Sequence, residues 1–88
     1  MNFQEKYDLC KTWQERVIVM RLFHTVMLHR QKDWSIKRFA SLTGYSSALI
    51  SENLRLAEAL DKFPKINTCL SRQQALDWLK KHDPKRFH

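Results

Sequence analysis

The chain has 88 residues, of which 43% are hydrophobic, with a formal net charge of +7, one glycine and two prolines. A chain of this length builds one domain with a modest core, and so few glycines and prolines favour helices joined by short loops over a turn-rich β-fold. It has no apolar run long enough to span a membrane and no basic-then-apolar signal pattern at its N-terminus. We therefore predict a single all-α domain over residues 1–88, with four to five helices, in the cytoplasm.

The charge balance is basic, with 16 lysines and arginines against nine acids. Such a balance favours a polyanionic partner, because counterions released from nucleic acid drive the binding of cationic proteins. Basic proteins that bind no nucleic acid have similar compositions, so the charge by itself leaves the partner open.

The residues that usually carry chemistry are scattered. Cys10 and Cys69 are far apart and neither belongs to a zinc-binding pattern, so we expect two reduced thiols and no metal site. The four histidines have no catalytic partner nearby in sequence, and there is no glycine-rich phosphate loop. We expect no enzymatic activity, no cofactor and no small-molecule ligand.

The longest predicted helix runs from Thr12 to Arg30, and a capping pattern of Thr12 with Glu15 marks its start. It carries two apolar stripes side by side. The first contains Val17, Met20, Phe23 or His24, and Met27, and the second contains Ile18, Leu22 and Val26. A helix this apolar is either the central core helix or is covered by a partner, so the Thr12–Arg30 helix is also the candidate interface of a homodimer.

The segments at the two ends are less regular. Phe3 and Tyr7 are four residues apart, so residues 1–10 form either a short helix or a frayed end. Residues 63–70 predict a loop with apolar anchors. A capping pattern at Ser71 starts a last helix over about 72–82, with Ala75, Leu76 and Leu79 facing inward. The tail over about 84–88 is predicted to be flexible.

Two short helices with a tight turn occupy about 35–61. Ser35 caps a helix over about 35–42, with Trp34 and Phe39 at the spacing of a hydrophobic staple. Phe39, Ala40 and Leu42 are expected to face inward. The single glycine, Gly44, predicts a left-handed backbone position just after this helix.

The second of these helices starts at a Ser46 cap and ends near Asp61 or Lys62, before Pro64. The order of Ala40, Gly44 and Ile50 is similar to the helix-turn-helix signature. In that arrangement the second helix is anchored in the core and its N-terminal half is free to enter a DNA major groove. The competing interpretation is an αα-corner in an ordinary helical bundle.

From Trp34 onward the chain also resembles the DNA-binding region of ParB- and KorB-type partition proteins and related plasmid or phage regulators. That family ends its helix-turn-helix in a run like S-x-x-x-V-S-x-x-L-R-L, and residues 46–56 here are SSALISENLRL. Residues 70–76, LSRQQAL, are similar to a later helix of the family. The resemblance covers about Trp34 to Leu79 and implies the DNA-reading module alone, since 88 residues leave no room for a nucleotide-binding domain or a separate dimerisation domain.

On this interpretation the helix after the turn presents residues to the bases, and basic residues elsewhere contact phosphates. The predicted base-reading residues are Ser46, Ser47, Ser51, Glu52 and Arg55. The predicted phosphate contacts are Lys37, Arg38, Arg30, Lys32, Lys80 and Lys81. Glu52 is ambiguous, because it either accepts from a cytosine amino group or repels the DNA backbone.

One observation opposes DNA binding. Residues 46–61 carry one arginine against three acids, Glu52, Glu58 and Asp61, which gives a formal charge of 1 − 3 = −2. Two hypotheses therefore stay open. The first is a small sequence-specific protein that binds double-stranded DNA, a plasmid- or phage-type regulator or accessory factor. The second is a protein-interaction adaptor or inhibitor that keeps the trihelical scaffold without reading DNA.

Overall fold

The computed structural model describes residues 2–82, which contain five α-helices and one short 3-10 helix. In chain order these are α1 Phe3–Leu9, α2 Trp13–Arg30, α3 Ile36–Thr43, α4 Ser47–Lys62, the 3-10 helix Pro64–Thr68, and α5 Arg72–His82. Residues 2–82 contain no strand, so the all-α prediction is confirmed. None of these helices combines the length and the apolarity needed to cross a membrane. The predicted flexible tail at 84–88 lies outside the described residues.

Every α-helix starts at a polar side chain that accepts a hydrogen bond from the backbone N–H three residues later, over 2.9–3.2 Å. These capping residues are Asn2, Thr12, Ser35, Ser46 and Ser71. Each cap satisfies one of the N–H groups that a helix N-terminus leaves without an intrahelical partner. The predicted starts of α2, α3, α4 and α5 are therefore confirmed, and residues 3–9 form the short helix that was one of two expectations.

Within residues 2–82 the core consists of two apolar clusters, and α2 and α4 belong to both. In the first cluster, the N-terminal half of α2 packs with the C-terminal half of α4, the 3-10 helix and α5. In the second, the C-terminal half of α2 packs with the N-terminal half of α4, α1 and α3. Thus α1 and α3 lie at one end of the α2–α4 pair, and α5 lies towards the other.

Two expectations about packing were wrong. Residues 64–68 form a 3-10 helix rather than a loop, because Pro64 suits its first position and the fully buried Ile66 holds the segment against the core. Leu42 does not face inward, since 67% of its surface is exposed. The buried face of α3 follows the i, i+3, i+4, i+7 pattern of residues 36, 39, 40 and 43, and Leu42 lies outside that face.

Helix α2 is the central helix and is also partly uncovered. Its first stripe is buried, with Val17 1% and Met20 0% exposed. Its second stripe faces outward, with Leu22 62% exposed. The two interpretations of this helix are thus compatible, because one stripe supports the core while the other has no cover within residues 2–82.

His24 of α2 contacts the aromatic residues at the start of α3. The Trp34 indole N–H donates to Nδ1 of His24 over 3.0 Å, and the His24 ring stacks on Phe39 with centroids 6.0 Å apart. Because an indole N–H can only donate, Nδ1 must carry no proton for this bond to form. Burial also lowers the pKa of His24 below its ordinary value. Both effects favour the neutral ring.

We expect acidification to destabilise the protein through His24. The unfolded chain takes up the proton near the ordinary histidine pKa of about 6.5, whereas the folded chain does so only at a lower pH. The contribution of His24 is therefore complete above about pH 6.5 and is lost as the pH falls through the folded pKa. The test is urea unfolding of the His24→Gln variant between about pH 8 and 5. Glutamine keeps an acceptor for Trp34, but the free energy of unfolding of the variant should depend less on pH than that of the wild type.

The control for this experiment is His29→Gln. His29 is also on α2 but is exposed, so its replacement should leave the pH dependence of the wild type largely intact. Equal slopes of unfolding free energy against pH in the wild type and His24→Gln would contradict the assignment to His24.

Candidate nucleic-acid interface

A tight turn joins α3 to α4 at Gly44. The residue has φ +81°, in the left-handed region, and its N–H donates to the Ala40 carbonyl over 2.8 Å. A Cβ built at this position would meet no atom within 4 Å. The positive φ, rather than crowding, is therefore what favours glycine here. The left-handed position predicted from the sequence is confirmed.

The α3–turn–α4 unit is anchored on its inner side. Phe39 and Ile50 are both fully buried, and the predicted staple brings Trp34 and Phe39 into ring contact at 5.5 Å. Tyr45 packs against the same cluster from the turn. The start of α4 is therefore held in a fixed position relative to α3, as a helix-turn-helix requires.

The outer side of α4 displays only part of the predicted base-reading set. Ser47 and Arg55 are exposed, and Ser51, which lies between them on the same helical face, is partly buried. Ser46 is exposed, but its hydroxyl oxygen caps α4 by accepting from the Leu49 N–H over 3.1 Å. Residues 47, 51 and 55, at four-residue spacing, are thus the best-placed face for contact with a ligand.

Glu52 is not an unpaired acid, because Arg72 of α5 contacts it. Arg72 Nη2 donates to Glu52 Oε1 over 2.6 Å, and Arg72 Nε donates to Asn53 Oδ1 over 2.6 Å. Asn53 is 1% exposed, and its Nδ2 donates to the Tyr7 hydroxyl over 3.2 Å. This network joins α1, α4 and α5.

Sequence reasoning missed this network, although a signal for it exists. Asn53 occupies a position between Ile50 and Ala57 on the buried side of α4, with the i, i+3, i+7 spacing of an inward face. A buried amide needs hydrogen-bond partners, since leaving it without them is costly. An asparagine on such a stripe therefore indicates a polar partner from another element, although it does not identify Arg72.

The other two acids of α4 are ion-paired as well. Lys62 Nζ lies 2.9 Å from Glu58 Oε1, and Arg21 Nη1 lies 3.0 Å from Asp61 Oδ2. Exposed pairs of this kind contribute little to stability. They do place one cation beside each acid of α4, so the formal charge of −2 overstates the negative potential of this helix.

The structure divides the predicted phosphate contacts between two ends of the molecule. Arg30 ends α2, Lys32 follows it, and Lys37 lies in the first turn of α3, and all three are exposed. Arg38 is also exposed but forms an ion pair with Asp33 over 2.8 Å.

Lys80 and Lys81 lie elsewhere, in the last turn of α5. Nearby in the same helix, Trp78 contacts Phe63 with ring centroids 5.5 Å apart, and Phe63 is the C-cap of α4. The two lysines are therefore towards the C-terminal end of α4, and the structure does not bring them to Ser47. The reason is the direction of α5, whose first residue, Arg72, contacts the middle of α4.

Other kinds of site have no comparable basis in the described chain. Within residues 2–82 no three His, Cys, Asp or Glu side chains are grouped so that they could hold a metal ion. Cys10 and Cys69 carry free thiols, and burial raises the pKa of the Cys10 thiol. Comparison of the chain with known protein families, with curated proteins and with solved structures finds no match.

Proposed function

We propose that this protein binds double-stranded DNA through α3, the Gly44 turn and α4, as a sequence-specific regulator or accessory factor of the plasmid or phage type. The observation that carries the proposal is the anchored α3–turn–α4 unit. Ile50 is fully buried, while Ser47 and Arg55 of the same helix are exposed. A helix held in this way can enter a major groove with its N-terminal half.

The charge distribution supports a polyanionic partner. The chain carries +7 overall, and the acids of α4 are paired with Arg72, Lys62 and Arg21. In this proposal the exposed Lys37 contacts a phosphate and fixes the position of α3 on the duplex. Most of the affinity then comes from cations outside α4, while the face formed by residues 47, 51 and 55 provides selectivity. The proposal includes no catalytic step, cofactor or small ligand.

The first test is binding to a duplex of mixed sequence over a series of salt concentrations. We expect affinity to fall as salt rises, because each phosphate contact releases counterions. Lys37→Gln should weaken binding to all sequences alike and reduce the salt slope by about 1.

The matched control is Lys65→Gln, which removes an exposed lysine from the 3-10 helix, at the end of α4 away from Ser47. It should change the slope less than Lys37→Gln does. A wild-type protein that shows no salt-dependent binding at low ionic strength would remove the proposal.

A protein-interaction adaptor or inhibitor is the second candidate, in which the trihelical scaffold reads no DNA. The observation that favours it is the aliphatic stripe on α2, where Leu22 is 62% exposed. An exposed apolar patch is a common mark of a protein interface. The duplex titration separates the two candidates, since an adaptor of this kind has no salt-dependent affinity for DNA.

A further inference from the structure

The exposed stripe of α2 is nearly symmetric, with a leucine at its centre and a β-branched residue at each end. Ile18, Leu22 and Val26 follow at four-residue spacing, which aligns them along one ridge of the helix. Their exposed fractions are 44%, 62% and 44%. Leu22 is therefore both the centre of the stripe and its most exposed residue.

The apolar surface continues from this stripe into a groove between α1 and α2. The groove has a volume of about 450 Å³. Its apolar lining is Phe3, Val19, Leu22, Phe23, Val26 and Met27. Leu22 and Val26 thus belong to both the stripe and the groove, so the uncovered surface is wider than one row of side chains.

The charges at the two ends of the stripe are opposite. Glu15 precedes Leu22 by seven positions, and Arg30 follows it by eight, and both are exposed. If a second α2 crosses the first in the antiparallel sense at Leu22, Ile18 of each chain faces Val26 of the other. In this antiparallel arrangement Glu15 of each chain lies at the same end of the interface as Arg30 of the other chain. A parallel arrangement would instead place the two Glu15 residues at one end and the two Arg30 residues at the other.

We propose that α2 pairs with α2 of a second copy of this chain, with the two-fold axis passing between the two Leu22 side chains. An interface of this kind is isologous, because the same surface of each chain contacts its copy. The purpose of the dimer rests on the proposed function, because helix-turn-helix proteins commonly bind as dimers to two half-sites about one DNA turn apart. The interface itself depends on the exposed stripe of α2 and the adjoining groove, and not on DNA binding.

The first experiment measures the molar mass by sedimentation equilibrium in the absence of DNA. We expect the wild type to have twice the mass of one chain. Leu22→Asp should have the mass of one chain, because the carboxylates of the two copies would face each other at the two-fold axis and repel. Leu22 is largely exposed, so the variant should keep the helical circular dichroism of the wild type. Leu70→Asp, at a residue 89% exposed outside the stripe, is the matched control and should remain dimeric.

The second experiment tests the position of the axis by oxidative crosslinking in a Cys69→Ser background. Packed helices lie about 8–10 Å apart between axes, which brings facing Cα atoms into the range of a disulfide. Leu22→Cys should therefore crosslink to itself. Ile18→Cys and Val26→Cys should crosslink efficiently only when the two variants are mixed, and the unsubstituted background should not crosslink.

Three results would overturn the proposal. They are a monomeric wild type, a Leu22→Asp variant that stays dimeric, and self-crosslinking of Ile18→Cys as efficient as that of Leu22→Cys. Because none of these measurements includes DNA, they are separate from the test of the proposed function. If the protein is dimeric but binds no duplex, the proposed function is wrong and the proposed interface stands. If the protein is monomeric but binds duplex, the proposed interface is wrong and the proposed function stands.

Discussion

Replacing Arg72 by methionine is expected to lower the free energy of unfolding by about 2 kcal/mol. The variant leaves Asn53 Oδ1 without the 2.6 Å hydrogen bond that it accepts from Arg72 Nε, and Asn53 is 1% exposed, so water cannot readily replace the donor. A buried acceptor that loses its partner is destabilised by the full loss of hydration. In a domain of this size the melting temperature should fall by about 10 °C.

A double-mutant cycle identifies the cause. Asn53→Leu combined with Arg72→Met removes both polar partners, so the double variant should lose less stability than the sum of the single changes. Arg21→Met is the control, because Arg21 also pairs with an acid of α4 but does so at the surface, where such pairs are worth at most about 1 kcal/mol. Additive losses in the cycle would show that Arg72 stabilises the fold by some other contact.

The same variant bears on the proposed function. Without Arg72, Glu52 carries an uncompensated negative charge on the helix proposed to enter DNA, so Arg72→Met should also weaken binding to duplex. Adding Glu52→Gln to Arg72→Met should recover the affinity without recovering the stability lost at Asn53. If stability and affinity change together in both variants, the loss of binding is a consequence of unfolding.

Replacing Arg55 by alanine is expected to weaken binding to the preferred DNA site by about 1–3 kcal/mol, or roughly 5- to 150-fold. Arg55 is exposed on the same face of α4 as Ser47, and a guanidinium can contact the O6 and N7 atoms of guanine together. The site is first obtained by selecting bound sequences from a random duplex library. Affinities for the selected and a random duplex are then compared.

Arg55→Lys is the matched control for charge. Lysine keeps the cation but lacks the planar fork of donors, so it should retain binding to random duplex and lose part of the preference for the selected site. Equal losses on selected and random duplex in Arg55→Ala would assign this residue to phosphate contact. A selected site with two-fold symmetry would in addition agree with the antiparallel α2 dimer.

The sequence determined α2, α3, α4 and α5 and the turn between α3 and α4. Ser35 and Ser46 cap α3 and α4 as predicted, and Gly44 adopts the left-handed conformation, with both helix bounds within one residue of expectation. These features depend on hydrogen bonds and backbone preferences over three or four residues, which the local sequence specifies by itself. The two apolar stripes of α2 were also evident from its periodicity.

Only the tertiary structure decided which of these surfaces stay open and which charges are compensated. Met20 and Leu22 are both apolar residues of α2, but the first is fully buried and the second is 62% exposed, because α4 and α1 cover particular faces of the helix. Glu52 meets Arg72 across 20 positions of sequence, at a point fixed by how α5 lies against α4. Such pairings depend on the packing of whole helices, and no local pattern of capping or periodicity specifies them.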